Sequence, residues 1–202
     1  MEQQILGEFH YKANVFKILS ELFKKPAEEH KELFPILDEA MYSIYPELQK
    51  ESTKLAELFD QNEQMLIDYA KLFVGPFDML APPYGSVYLE EGRRLLGEST
   101  AHVQKLYEQA GIEKMESFHE PADHISVELE FIYYLYFKYI ETNELKYLNI
   151  LKEFIDRHLG RWISLFTDKM VKNSVHSYYK QLGILTKSIF EAEKKVLRPA
   201  TV

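Results

Sequence analysis

The side chains able to do covalent chemistry in this 202-residue chain stand in patterns that do not support it. There is no cysteine, which removes thiolate nucleophiles, disulfides, CxxC redox pairs and cysteine-bound iron–sulfur or zinc centres together. Ser86 and Ser99 lack the G-x-S-x-G elbow of a serine nucleophile, and the seven histidines show no accompanying triad pattern. His124 and Glu128 stand four apart on one helix face, a spacing that could hold a metal, but no third ligand accompanies them. A carboxylate-bridged di-iron bundle needs Glu-x-x-His on two helices; the one instance, Glu116 to His119, falls in a predicted loop. The segment GRRLLGEST, Gly92 to Thr100, imitates a phosphate-binding loop, yet Glu98 stands where the lysine should be and no strand precedes it. Arg93-Arg94 within it reads as solvated charge or as a pair for nearby acids. No catalytic residue and no metal site is therefore assigned.

The recognition chemistry is better represented. Glu120 and Asp123 can each accept guanidinium hydrogen bonds, and His124 beside them can donate to those acids or pack against a ligand. The alternative is that Asp123 only caps a helix and Glu120 is a solvated loop acid. Net charge supports a basic partner: Lys+Arg number 24 against 32 Asp+Glu, a formal charge of −8, which repels nucleic acid.

The elements that must position these residues are helices. Ile5 to Phe23 carries apolar residues at mixtures of three and four, and Pro26 follows its end. Lys31 to Leu48 predicts a short irregular helix, with Pro35 in its first turn and Pro46 at its close. Ser52 to Phe73 predicts a long helix, or two broken near Asp60, and Gly75-Pro76 blocks its continuation. Ser99 begins a helix to about Ala110, capped by Gly111, and a second loop runs from Gly111 to Ala122. Asp123 can cap a strong helix whose stripe is Ile125, Leu129, Ile132, Leu135, Tyr136 and Tyr139, with Glu128 and Lys138 expected away from its centre. Glu144 to Met170, with a break near Gly160, and Val175 to Leu197 complete the pattern. No internal repeat or strand pattern is present.

Between these helices, Gly75 to Gly97 concentrates four glycines and three prolines in 23 residues, which marks a long functional loop. The apolar content of 46% suffices for one core, so residues 1–202 are expected to form a single all-α domain. The Met1 to Glu21 segment has no basic stretch followed by an apolar core, so it is not expected to be a signal peptide. The charge-free run Met79 to Leu89 is far shorter than the ~18 apolar residues of a membrane span. A cytoplasmic protein outside the membrane is the expectation.

Two blocks carry a family resemblance. LFVGPFDMLAPPYGSVYL, Leu72 to Leu89, and EPADHISVELEF, Glu120 to Phe131, together resemble the signature of the TorD/DmsD family of redox-enzyme maturation chaperones. The flanking FKILSELFKKP and RHLGRW segments are similar to its weaker helices, so the resemblance covers nearly the whole chain. It implies an all-helical bundle of the TorD/DmsD type. Such a cytoplasmic chaperone binds the twin-arginine signal peptide of a molybdoenzyme subunit, assists cofactor insertion and delays export until folding is complete. Its partners would be that signal peptide and the catalytic subunit of a molybdopterin oxidoreductase, and it would be a monomer or an exchanged-helix dimer.

The resemblance also implies which residues bind the peptide: Tyr69, Leu72, Phe73, Phe77, Pro82, Pro83 and Tyr84, with Glu120, Asp123 and His124. Pro82-Pro83 would stiffen the loop and reduce the ordering cost of binding. Leu72 and Phe73 also lie on a helical stripe, where interior packing is the competing assignment. This chain departs from the family at Tyr69, Phe77 and Tyr84, where tryptophan is frequent, and at Ala122, where the family has an acid; Glu128 and Glu130 are the nearest carboxylates that could compensate. No cofactor is expected. The family's connection with weak guanine nucleotide or molybdenum-cofactor binding stays open, with no residues assigned to it. Two other readings stand beside the chaperone: a nucleotide-hydrolysing factor that loads cofactor, and a purely structural helical interaction module.

Overall fold

The first helix, α1 (Glu2–Leu22), sets the interior. Its Val15, Phe16, Leu19 and Leu22 recur at helical spacing and are all essentially inaccessible. The computed structural model describes residues 2–75, 78–93, 96–112 and 121–197. Phe77 and Glu120 of the expected site, and the Glu116–His119 pair, lie outside them.

Ten α-helical segments follow one another through the described residues, interrupted by short 3₁₀ and π turns. After a 3₁₀ turn at Glu28–Glu32, α2 (Leu33–Ile44) carries Pro35 in its first turn, where the missing N–H costs nothing. A second 3₁₀ turn at Pro46–Leu48 leads into α3 (Gln49–Glu57). The expected break near Asp60 is present: α4 (Glu63–Tyr69) starts afresh, its N-cap Asn62 accepting from the Met65 amide at 2.9 Å. A π turn, Ala70–Val74, closes that helix at Gly75, whose φ of +54° favours glycine and where a Cβ would lie 3.1 Å from the Asp78 backbone carbon.

The glycine- and proline-rich loop then contains a short helical turn, α5 (Ser86–Leu89), and a 3₁₀ turn at Glu91–Arg93 before α6 (Glu98–Gln109). The helix expected from Ser99 thus begins one residue earlier, and Gly111 after it takes a φ of +83°. The long α7 (Ile125–Thr142) packs chiefly on α1, and Asn143 ends it in the left-handed conformation. The last helices are α8 (Leu145–Phe154), α9 (Gly160–Asn173) and α10 (Ser177–Leu197), with α9 against α10.

The break expected near Gly160 is a π turn at Ile155–Leu159 rather than an interruption. A Cβ on Gly160 would lie 2.3 Å from the Ile155 carbonyl oxygen, so the widened turn needs glycine there. One contiguous core joins α1, α2, α7, α9 and α10 through Phe16, Leu37, Ile132, Tyr136, Phe166 and Phe190. Inside it sits a charged network: Lys12 Nζ lies 2.6 Å from Glu193 Oε1, while the Tyr45 and Tyr136 hydroxyls donate to the same carboxylate. Among the described residues no helix is long and apolar enough to cross a membrane.

Candidate functional site

The two distinctive sequence blocks meet in space. Tyr84 and His124, forty residues apart, form an isolated antiparallel bridge. Gly85 N donates to Asp123 O at 2.9 Å, and Ile125 N donates to Pro83 O at 2.8 Å. The Tyr84 and His124 rings meet edge to face with centroids 5.2 Å apart, both partly exposed. Main-chain pairing therefore fuses the proline loop to the start of α7.

Asp123 tightens this joint. Its side chain is fully buried, and Oδ2 accepts from Ser86 N at 2.7 Å, at the first residue of α5. The expected cap of α7 is thereby corrected: His124 is the N-cap, its Nδ1 facing Ser126 N at 3.2 Å and Ser126 Oγ at 2.7 Å, while Asp123 serves the facing loop. Asp123 has no exposed surface from which to meet a guanidinium, because closing the joint takes it out of solvent. Burial pushes the His124 imidazole down to about 4, only partly opposed by Asp123, so the ring is neutral near pH 7.

The remaining expected residues divide by burial. Leu72 is 0% and Phe73 5% exposed, so both belong to the core, Phe73 packing against Phe23, Phe166 and Tyr179. Their place on the helical stripe, rather than in the loop, decides this. Pro82 and Pro83 are buried too, the Pro82 carbonyl accepting from the Tyr88 hydroxyl at 2.9 Å. They shape the loop from within. Tyr69 is half-buried at the end of α4, its ring 5.4 Å from Phe73. Tyr69, Tyr84 and His124 are thus the described members of the expected set that reach the surface.

Glu128, expected away from the centre of the α7 stripe, lies at the centre of the interior. It is 0% exposed, with His158 Nε2 2.6 Å from Oε1 and Trp162 Nε1 donating to Oε2 at 3.2 Å. Burial pushes its carboxyl up to about 7, against the opposing pull of His158. Burial works against the charge of His158, but the adjacent Glu128 prevails and holds its pKa above the usual imidazole range. Glu128 therefore cannot compensate at the surface for the acid missing at Ala122. Glu130 is about half exposed and already paired with Lys17.

The signal that would have located Glu128 is positional: it falls three after Ile125 and one before Leu129, inside the apolar stripe. The His124–Glu128 metal arrangement also dissolves, since each side chain is engaged elsewhere. No group of three or more ligating side chains that could hold a metal occurs among the described residues.

The apparent phosphate loop is occupied by the protein itself. Glu90 Oε1 accepts from Ser99 N at 2.6 Å, and a Cβ on Gly97 would lie 2.4 Å from Glu90 Cδ. A carboxylate fills the helix start where phosphate would need to sit, which together with Glu98 opposes an anionic ligand there.

The family model for the nitrate reductase delta subunit matches residues 37–168. The chain belongs to that family, as an all-α protein. Chaperone protein TorD of Shewanella pealeana is 25% identical over 205 residues, covering 92% of this chain and 89% of that protein. The Tat proofreading chaperone DmsD of Salmonella typhimurium is 25% identical over 193 residues, covering 92% and 91%. A crystal structure of a redox enzyme maturation protein from Archaeoglobus fulgidus shares the fold, with a TM-score of 0.57, 23% identity and coverage of 90% and 93%. These curated relatives are named chaperones, not enzymes.

Proposed function

We propose that this chain is a molybdoenzyme-maturation chaperone that binds the twin-arginine signal peptide of its client through the surface where residues 81–89 meet residues 121–126. The observation that carries the reading is the backbone pairing of Tyr84 with His124, which makes one site of two sequence blocks. Tyr84, His124 and Tyr69 offer the partly exposed rings of that surface. Pro82, Pro83 and Asp123 hold its shape from inside, and Phe77 and Glu120, just before the two segments in sequence, are proposed to contribute to binding. A net charge of −8 favours a peptide that begins with arginines, and the rings suit the apolar stretch that follows them. The names of the TorD and DmsD relatives, one of them a Tat proofreading chaperone, support the chaperone role; the protein would act in the cytoplasm, as a monomer or an exchanged-helix dimer.

Calorimetry with synthetic twin-arginine signal peptides from the host's molybdoenzymes tests this. Binding should weaken when the peptide's arginine pair is replaced by alanine, and when Tyr84→Ala or His124→Ala is introduced in the protein. No measurable binding to any of the host's signals would refute it.

A further inference from the structure

The loop that bears Tyr84 rests on a buried polar cluster. Glu128, His158 and Trp162 are 0%, 1% and 0% exposed, and the carboxylate bridges the other two side chains. A buried carboxylate is costly unless its environment requires it, and its partners here lie directly beneath the loop. A Cβ on Gly85 would come within 2.9 Å of Trp162 Nε1 and 3.3 Å of His158 Nε2, so the loop backbone is laid flat against both rings. One turn on, Tyr88 stacks on Trp162 with centroids 5.6 Å apart and planes 18° apart. The π turn at Ile155–Leu159, which Gly160 permits, leads directly from His158 into the helix that carries Trp162. The residues thus form successive layers: the partly exposed Tyr84, Tyr88 and His124 outermost, the buried Gly85 backbone beneath, then His158 and Trp162, then Glu128.

We propose that Glu128, His158 and Trp162 are positioning residues for peptide binding, which fix residues 83–88 in register through Gly85 and Tyr88 and transmit peptide engagement to the Trp162 ring. This rests on the peptide-binding reading of the surface above. The geometry explains why a carboxylate occupies an apolar stripe position. Glu128 accepts from the indole N–H and meets the imidazole at once, which orients both rings as a platform; an apolar side chain of similar size would leave the Trp162 N–H without a partner. Burial that drives the Glu128 carboxyl up to about 7 is consistent with a site held by packing against its own charge preference.

Trp162 is the chain's only tryptophan, so its emission reports on this cluster without further labelling. The experiment titrates the full chain with a tryptophan-free twin-arginine signal peptide while following Trp162 fluorescence, and separately measures amide exchange of residues 83–88 without peptide. In the wild type, peptide should shift the emission. Glu128→Leu should speed exchange of residues 83–88 and weaken peptide binding by about tenfold, with helical circular dichroism retained. Glu128→Gln should restore both to near wild type, because its carbonyl can accept from Trp162 and its amide can donate to His158. Should Glu128→Leu not fold, Trp162→Phe, which keeps a ring but removes the N–H, carries the same expectation for exchange and for affinity, the latter read by calorimetry because this variant has no tryptophan.

Slow exchange at residues 83–88 in Glu128→Leu or Trp162→Phe, equal to wild type, would overturn the positioning role whether or not peptide binds. Peptide binding with unchanged Trp162 emission would overturn the transmission to the ring. Absence of peptide binding in the wild type, with fast loop exchange in the variants, would instead refute the peptide reading while leaving the platform in place.

Discussion

Replacing Asp123 by alanine should destabilise the protein before it affects any ligand. The carboxylate is fully buried and accepts a 2.7 Å bond from Ser86 N, a residue that is itself fully buried. Truncation removes a charge-assisted hydrogen bond and leaves the Ser86 amide without its partner, each contributing about 1–3 kcal/mol. Relief of the cost of burying a charge offsets part of this, so a net loss of about 2–3 kcal/mol is expected. For a chain of this size that lowers the melting temperature by roughly 5–10 °C. Asp123→Asn keeps an oxygen acceptor for Ser86 and should cost less than about 1 kcal/mol. Urea unfolding of both variants, followed by circular dichroism, reads the difference. If alanine and wild type unfold at the same midpoint, Asp123 is not the tie between the loop and α7. Peptide binding that is lost in Asp123→Asn with stability intact would show that its charge acts on the ligand after all.

Three further outcomes follow from the packing and charge of the interior. Gly85→Ala should destabilise by about 1–3 kcal/mol through overpacking and alter Trp162 emission, since the new methyl would sit 2.9 Å from the indole nitrogen; unchanged emission and midpoint would count against that contact. Lys12→Met leaves the buried Glu193 with two tyrosine hydroxyls but no cation, and should cost about 3 kcal/mol or more in thermal or urea unfolding. The folded state holds His124 near 4 whereas an unfolded imidazole protonates near 6.5, so the His124 contribution to folding stability should fall as pH drops from 6.5 towards 4, by up to about 3 kcal/mol. His124→Gln should flatten that slope in urea midpoints measured between pH 7 and 4.5. Glu128 acts in the opposite sense: its raised carboxyl contributes fully below about 4.5, and that contribution is lost as pH rises to about 7, while the raised His158 likewise favours the lower-pH side, so comparing His124→Gln with wild type isolates the His124 term.

Helix ends and breaks were legible because they depend on local chemistry. Gly75 and Gly111 mark ends that need positive φ, Pro35 fits a first turn, and the break near Asp60 lies between separate apolar runs. The loop between α4 and α6 was legible from its glycines and prolines, but the short α5 inside it was not, being too brief to show a period. The site was legible as two segments and not as a joint. Its bonds run between main-chain atoms some forty residues apart, and Asp123 answers a backbone N–H that no side-chain pattern reveals. Leu72 and Phe73 followed their helical stripe into the core. Glu128 was misplaced because a carboxylate is ordinarily assigned to solvent, while its position in the stripe pointed inward and its partners His158 and Trp162 come from a distant turn.

Hydrogen exchange of the full chain with and without a cognate twin-arginine signal peptide tests the central claim most directly. Peptide should slow amide exchange together in residues 81–89 and 121–126, and a peptide without its arginines should slow neither. Protection confined to one segment, or appearing instead at the shallow depression between α2 and α3 around Phe34 and Phe59, would contradict a single binding site built from the Tyr84–His124 joint.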